Sequence, residues 1–236
     1  VIAPDKFKGS LSSQEVANAI EEGILQAMPN CSIQKLYVAD GGDGTAEALT
    51  ASLHGEWIEI PTINPIGHPI TGRYGVINQD TAIIDVATAS GISLLKPSEY
   101  APLTANTIGT GKIIADALKK GIKKIMIGVG GSATTDAGTG ILHELGYRFY
   151  DAQGNEVQPG GLGLASISYI DSSQRIPEID GCEFTILCDV DVTFHGPNGA
   201  AYLFARQKGA DNKTIKLLDN GLMSFAKVLQ RQYGKQ

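Results

Sequence analysis

The residues best suited to chemistry lie in short clusters rich in glycine, hydroxyls or charge. The longest is Gly128-Val129-Gly130-Gly131-Ser132-Ala133-Thr134-Thr135-Asp136-Ala137-Gly138-Thr139-Gly140, placed between an apolar run and a helical pattern. A strand-to-helix turn of this kind aims free backbone amides and a positive helix end at one point, the usual way to hold an anion. One helix dipole contributes only about 0.3–1 kcal/mol per exposed charge, so amides and hydroxyls must act together to hold a phosphate. Gly130, Gly131, Ser132, Ala133, Thr134 and Asp136 are therefore the candidate cofactor-binding residues. A tight turn with close glycine packing is the competing explanation.

Two carboxylate clusters accompany it. Asp40 and Asp43 flank a glycine pair at the end of one apolar run, and Asp189 and Asp191 end another. In open α/β sheets ligands bind beyond the carboxyl ends of the strands. Aspartates there can ligate Mg²⁺ or accept a proton from an attacking hydroxyl. Asp40, Asp43 and Asp191 are candidate metal ligands, and Asp189 is the candidate base or Mg²⁺ ligand. Aspartate also builds turns and caps helices without any ligand. Lys6 and Lys8 follow the first apolar run and could neutralise an anion as point charges, although a solvated loop would hold them equally well. Gln207-Lys208-Gly209 closes a helix begun near Asn198, where lysine complements the dipole.

Two patterns compete with this arrangement. Gly128-x-Gly130-x-x-Ala133 with Asp151 about 20 residues on fits a dinucleotide fingerprint, making an NAD(P)-dependent oxidoreductase the alternative. Asp136 counts against it, because it puts negative charge into the first turns of the supposed phosphate-binding helix. Gly109-Thr110-Gly111-Lys112 looks like the end of a P-loop, yet Asn106 and Ile113 stand where glycine and Ser/Thr are needed, so a helix start is expected.

The elements that must carry these clusters follow an α/β rhythm. Val1–Ala3 and Ile33–Ala39 read as strands. Between them Ser12-x-x-Glu15 is a capping-box spacing ahead of Val16, Ile20 and Ile24. A helix from about Ala46 to His54 comes next. Trp57–Ile60, His68–Ile77 and Thr81–Val86 are extended runs broken by turn residues, as in hairpins or a mixed sheet. Ile113, Ile114, Ala117 and Leu118 mark a helix, Lys124–Ile127 a strand, and a helix is expected from about Thr135 to Leu145. After the strand Glu183–Cys188, a long final helix buries Ile215, Leu218, Leu222, Phe225 and Leu229. That burial is worth on the order of 10 kcal/mol gross.

Composition limits the function classes. The 236 residues imply one to two domains. Lys+Arg 19 against Asp+Glu 25 gives a net charge of −6, unlike a chain that tracks a nucleic-acid backbone. No apolar run nears the roughly 18 residues of a membrane span. Cys31, Cys182 and Cys188 make an odd count without metal spacing, which fits a reducing cytoplasm. Gly 29 exceeds the about 17 expected at average usage, and the surplus sits in the clusters above.

Taken together the clusters resemble the glycerate kinase family, which phosphorylates D-glycerate with ATP. The resemblance rests on Pro4-Asp5-x-Phe7-Lys8-Gly9-Ser10-Leu11, Ala39-Asp40-Gly41-Gly42-Asp43-Gly44-Thr45, Gly130-Gly131-Ser132-Ala133-Thr134-x-Asp136, Cys188-Asp189-Val190-Asp191 and Gln207-Lys208-Gly209-Ala210, in that order. Asn64–Pro69 and Ala87–Gly91 agree more weakly, and Val192-Thr193-Phe194 departs from the family's Asn-Pro-Leu. The resemblance implies an α/β fold of two domains. One is flavodoxin-like, discontinuous and incomplete here, with residues 1–62 as its N-terminal part. The other is a mixed α/β domain over 63–236. It also implies a chain that lacks the family's C-terminal segment, with an inactive or binding fragment as a further alternative. The implied reaction is phosphorylation of D-glycerate, at the 2-hydroxyl by preference, with ATP and Mg²⁺ as cofactors. Asp189 and Lys8 are the expected catalytic residues. Neither nucleic acid nor membrane is an expected partner, and a homo-oligomer is left open.

Overall fold

The computed structural model describes residues 1–7, 10–36, 38 and 40–234. The chain begins with α1 (Ser13–Ala27), whose start is fixed by the expected capping box. Ser12 accepts from the Glu15 amide, and Glu15 accepts from the Ser12 amide. Of the two strands expected around α1, the described residues show one parallel bridge, Ile2 to Lys35. Among the described residues no other strand pairs with either, and a two-stranded pair alone has little to stabilise it. Lys8, Tyr37 and Ala39 lie outside the described residues.

From residue 45 the chain builds one layered unit. α2 (Thr45–Ser52) precedes the antiparallel strands β1 (Glu56–Ile63), β2 (Pro69–Ile77) and β3 (Thr81–Asp85). A short α3 (Ala87–Ser90) and α4 (Ile108–Lys119) lead to β4 (Lys124–Gly128), which lies parallel to β3. After α5 (Thr139–Glu144), a separate antiparallel pair forms from β5 (Arg148–Tyr150) and β6 (Tyr169–Asp171). β7 (Glu183–Leu187) then returns to the main sheet, parallel to β4, giving the order β1-β2-β3-β4-β7. α6 (Ala200–Phe204) and α7 (Asn212–Tyr233) close the described chain. The expected mixed α/β architecture is what is found. The sheet continues through residue 62, because β1 stays in register with β2 as far as Ile63 opposite Pro69.

Among the described residues three apolar clusters hold the layers, the smallest joining Ala46 of α2 to Ile77 and Ile83 of the sheet. The first of the two larger ones lies between the sheet and α4, where Ile113, Ile114 and Leu118 meet Ile84, Ile125 and Ile127. The second lies under α7, where Ile215, Leu218, Leu222 and Phe225 meet Leu164, Ile170 and Phe149. Phe149 and Phe225 pack edge to face with centroids 6.2 Å apart. The Gly109–Lys112 stretch lies within α4, as a helix start should. Gly109 rests against the Ile63 carbonyl, and Gly111 rests against α5.

The glycines in helices therefore divide by what they touch. A Cβ at Gly109 would lie 2.0 Å from the Ile63 oxygen, whereas one at Gly23, inside α1, would meet nothing within 4 Å. Gly23→Ala should raise the melting temperature by about 2–4 °C through the about 1 kcal/mol that alanine gains in a helix. Gly109→Ala should lower it instead, because overpacking of about 1–3 kcal/mol outweighs that gain. Thermal unfolding followed by circular dichroism checks both. Equal shifts of the same sign would contradict the packing.

Candidate functional site

The parallel strands β3, β4 and β7 end at one level, with Asp85, Gly128 and Leu187 in register. A cleft of about 800 Å³ opens just beyond those carboxyl ends. Into it come Val129–Ser132 from the end of β4, Cys188–Val190 from the end of β7, Asp40–Gly44, Lys6, and Gln207–Lys208. Groups singled out from the sequence thus gather beyond the strand carboxyl ends, the place where α/β ligands bind.

Close backbone contact locks two of them together. The Gly130 amide donates to the Gly41 carbonyl at 3.0 Å. A Cβ at Gly130 would stand 2.6 Å from the Gly42 Cα. One at Gly41, which has φ of +83°, would stand 2.6 Å from the Leu187 carbonyl oxygen. Only glycine permits this approach.

These contacts revise the expected phosphate cradle. The amides of Gly130 and Ala133 are already spent on Gly41 and Ser90, so neither is open to an anion. α5 begins at Thr139 rather than near Thr135, because Asp136 draws the following amides to itself. Its carboxylate accepts from the amides of Gly138 and Gly140 and from the amide and hydroxyl of Thr107. Asp136 is 2 % exposed and does not line the cleft. It ties α5 to α4 and is a positioning residue rather than a direct ligand of a cofactor. Gly131 and Ser132 face the cleft, whereas Ala133 and Thr134 are buried behind it.

The dinucleotide alternative fails on topology. Asp151 follows β5, which pairs with β6 and lies outside the sheet that carries Gly128. Its carboxylate is occupied by the turn it closes, accepting from Gln153 and Asn155. A ribose-binding acid would have to end a strand neighbouring β4 in the main sheet.

The expected metal set is also revised. Asp40 accepts from the Gly42 amide at 2.8 Å, an Asx turn. Asp40, Asp43 and Asp189 line the cleft, but Asp191 does not. Among the described residues no three His, Cys, Asp or Glu side chains gather closely enough to hold a metal by themselves. Mg²⁺ needs only one or two carboxylates when phosphates supply the rest, so Asp43 and Asp189 retain a donor set of suitable chemistry. Lys6, half-buried, extends beside Gly44, two residues before the Lys8 of the expected pair.

Two buried charged residues stand out, one of them, Asp85, not singled out from the sequence. Asp85 ends a strand buried along its whole length and is itself 4 % exposed. Its oxygens accept from the amides of Gly44 and Ala46 at 2.8 and 3.0 Å, anchoring the Asp40–Gly44 loop to the sheet. Burial pushes its carboxyl up to about 6, against the two amides, with Asp43 adding to the rise and Lys6 opposing it. An acid terminating an apolar run was the available signal.

Lys208 is the second. It is 7 % exposed yet lines the cleft, and it donates to Ser132 Oγ at 3.0 Å and to the Thr134 carbonyl. Burial pushes its ammonium down to about 8, with nearby Asp136 opposing the shift. α6 ends at Phe204 and Lys208 lies in a separate 3-10 turn, Arg206–Lys208, so helical spacing from the buried Ala201 and Ala205 does not reach it.

The structure is thus an α/β sheet with two lysines and several carboxylates gathered in one cleft beyond its strand ends. The glycerate kinase family model matches residues 1–236, and the chain belongs to that family. It is 39% identical over 99% of its length to a glycerate kinase of Bacillus subtilis (strain 168) and 40% identical over 98% to a glycerate 2-kinase of Escherichia coli (strain K12). It superposes with a TM-score of 0.87 and 39% identity on the crystal structure of a candidate glycerate kinase 2 from Salmonella typhimurium LT2. The chain spans 62%, 61% and 63% of these three relatives, respectively. Among the described residues no helix is long and apolar enough to cross a membrane, and all three cysteines are free.

Asp85 makes the stability of this site depend on pH in a specific direction. Its folded pKa of about 6 lies above the ordinary 3.8, so its contribution is fully present below pH 4 and is lost as pH rises through 6. The total change is on the order of 3 kcal/mol. The melting temperature of the native protein minus that of Asp85→Asn should therefore fall between pH 4 and pH 7. A difference that stays flat or grows would refute the burial of an ionisable Asp85.

Proposed function

We propose that the intact protein transfers the γ-phosphoryl group of ATP to a hydroxyl of D-glycerate, the 2-hydroxyl being favoured. The observation that carries this reading is the convergence of Lys6, Lys208 and Asp189 on one cleft beyond the ends of three parallel strands. Phosphoryl transfer asks little covalent chemistry of a protein. It asks for positioning, charge neutralisation and an oriented hydroxyl. The name of the Escherichia coli relative, a glycerate 2-kinase, supports the 2-position.

In this mechanism Asp189 takes the proton from the attacking hydroxyl as the oxygen bonds to the γ-phosphorus. The bond to the β-phosphate oxygen breaks, and ADP leaves. Lys6 sits beside the glycine turn at Gly44 and offsets charge on the phosphates. Mg²⁺ bound with ATP would neutralise further phosphate charge, with Asp43 the carboxylate placed to hold it while Asp189 stays free as the base. The Gly41–Gly130 contact keeps the loop that bears Asp43 and the loop that bears Ser132 at fixed separation.

A coupled assay of ADP release tests the reading. The intact protein should release ADP only when D-glycerate is added, and phosphorus NMR should show the phosphate on the 2-oxygen. Asp189→Asn should lower kcat by about 100-fold or more, the usual contribution of a positioned base. Absence of glycerate-dependent ADP release from the native protein would refute the proposed activity.

A further inference from the structure

The geometry points to Lys208 and Ser132 as the seat of the acceptor's carboxylate, the pair that lets this cleft choose a hydroxy acid over an uncharged polyol. The inference rests on the proposed kinase reading and assigns one part of its substrate to named atoms. Lys208 is a cation nine-tenths buried whose two hydrogen-bond partners, the Ser132 hydroxyl and the Thr134 carbonyl, are both neutral. An ammonium has three donors, so one N–H is left over, and the side chain lines the cleft. Among the described residues no carboxylate forms an ion pair with it. Asp136 influences it only from a distance, being occupied by Thr107, Gly138 and Gly140.

Ser132 completes the seat. Its oxygen accepts from Lys208, so its own proton is free to donate elsewhere, and it also faces the cleft. An ammonium N–H and a hydroxyl O–H side by side match the two oxygens of one carboxylate. A triphosphate carries several charges, which one buried ammonium would leave largely uncompensated. The less buried Lys6, beside the glycine turn, suits the nucleotide better. Burying the cation without its own counter-ion leaves that place to the ligand. Glycerol, which lacks the carboxylate, would leave Lys208 unpaired and should be rejected on that ground.

Steady-state kinetics of the intact protein with D-glycerate, with glycerol and with varied ATP test the assignment. Lys208→Met should raise the KM for D-glycerate about 100-fold, as expected for loss of a buried charge pair, with the KM for ATP changed less than about 3-fold. Its preference for D-glycerate over glycerol should collapse to the same degree. Ser132→Ala, which removes a single hydroxyl, should raise the KM for D-glycerate about 10-fold and keeps the test usable if Lys208→Met does not fold. A rise in the KM for ATP with D-glycerate unaffected would overturn the assignment and give Lys208 to the nucleotide. Calorimetric titration of D-glycerate without nucleotide separates the two levels of the argument. Glycerate binding that weakens in Ser132→Ala, without turnover by the native protein, would refute the kinase reading and uphold the seat. Turnover with unchanged glycerate affinity in both variants would do the reverse.

Discussion

The cleft depends on a buried carboxylate at the end of a central strand. Asp85 reaches out of β3 to hold the amides of Gly44 and Ala46, which fixes both the Asp40–Gly44 loop and the first turn of α2. Burial resists its ionisation while the two amides favour it, so the anchor works against a solvation cost. With the loop held there, Gly41 can settle against Leu187 and accept from Gly130. One carboxylate thereby brings the ends of β3, β4 and β7 under a single lid of backbone.

The surplus of glycine takes on a different meaning in this light. At Gly41 and Gly130 the missing side chains let two loops touch backbone to backbone, and the Gly130 amide is consumed in doing so. Positive charge in the cleft is carried by lysines, one of them drawn deep behind Ser132. Asp136 has a parallel role to Asp85. It too is a buried carboxylate satisfied by amides, and it orders the turn behind the cleft rather than meeting what enters it.

Much of the local structure was legible. The capping box before α1, the mixed strands of the middle segment and the apolar stripe of α7 all stand where periodicity places them. The failures share one cause. A helix N-terminus near Thr135 and a dinucleotide site completed by Asp151 were each read from one continuous stretch of sequence. In each case a partner distant in sequence or a competing local turn had already claimed the group concerned. Thr107 takes Asp136 across 29 positions, and Asn155 takes Asp151 within its own turn.

The sequence alone determined which residue types are present, their order, and the α/β rhythm that places them after strands. These follow from local physics: side-chain periodicity, capping and the conformational range of glycine and proline. It also carried the family, because the ordered clusters run the length of the chain. Only the tertiary structure decided which hydrogen-bonding groups remain open to a ligand. Lys208 and Ser132 lie 76 positions apart, and Asp85 and Gly44 lie 41 apart. Whether a lysine is solvated or buried, and whether a glycine amide is free or spent, is set by such neighbours, and spacing along the chain does not encode them.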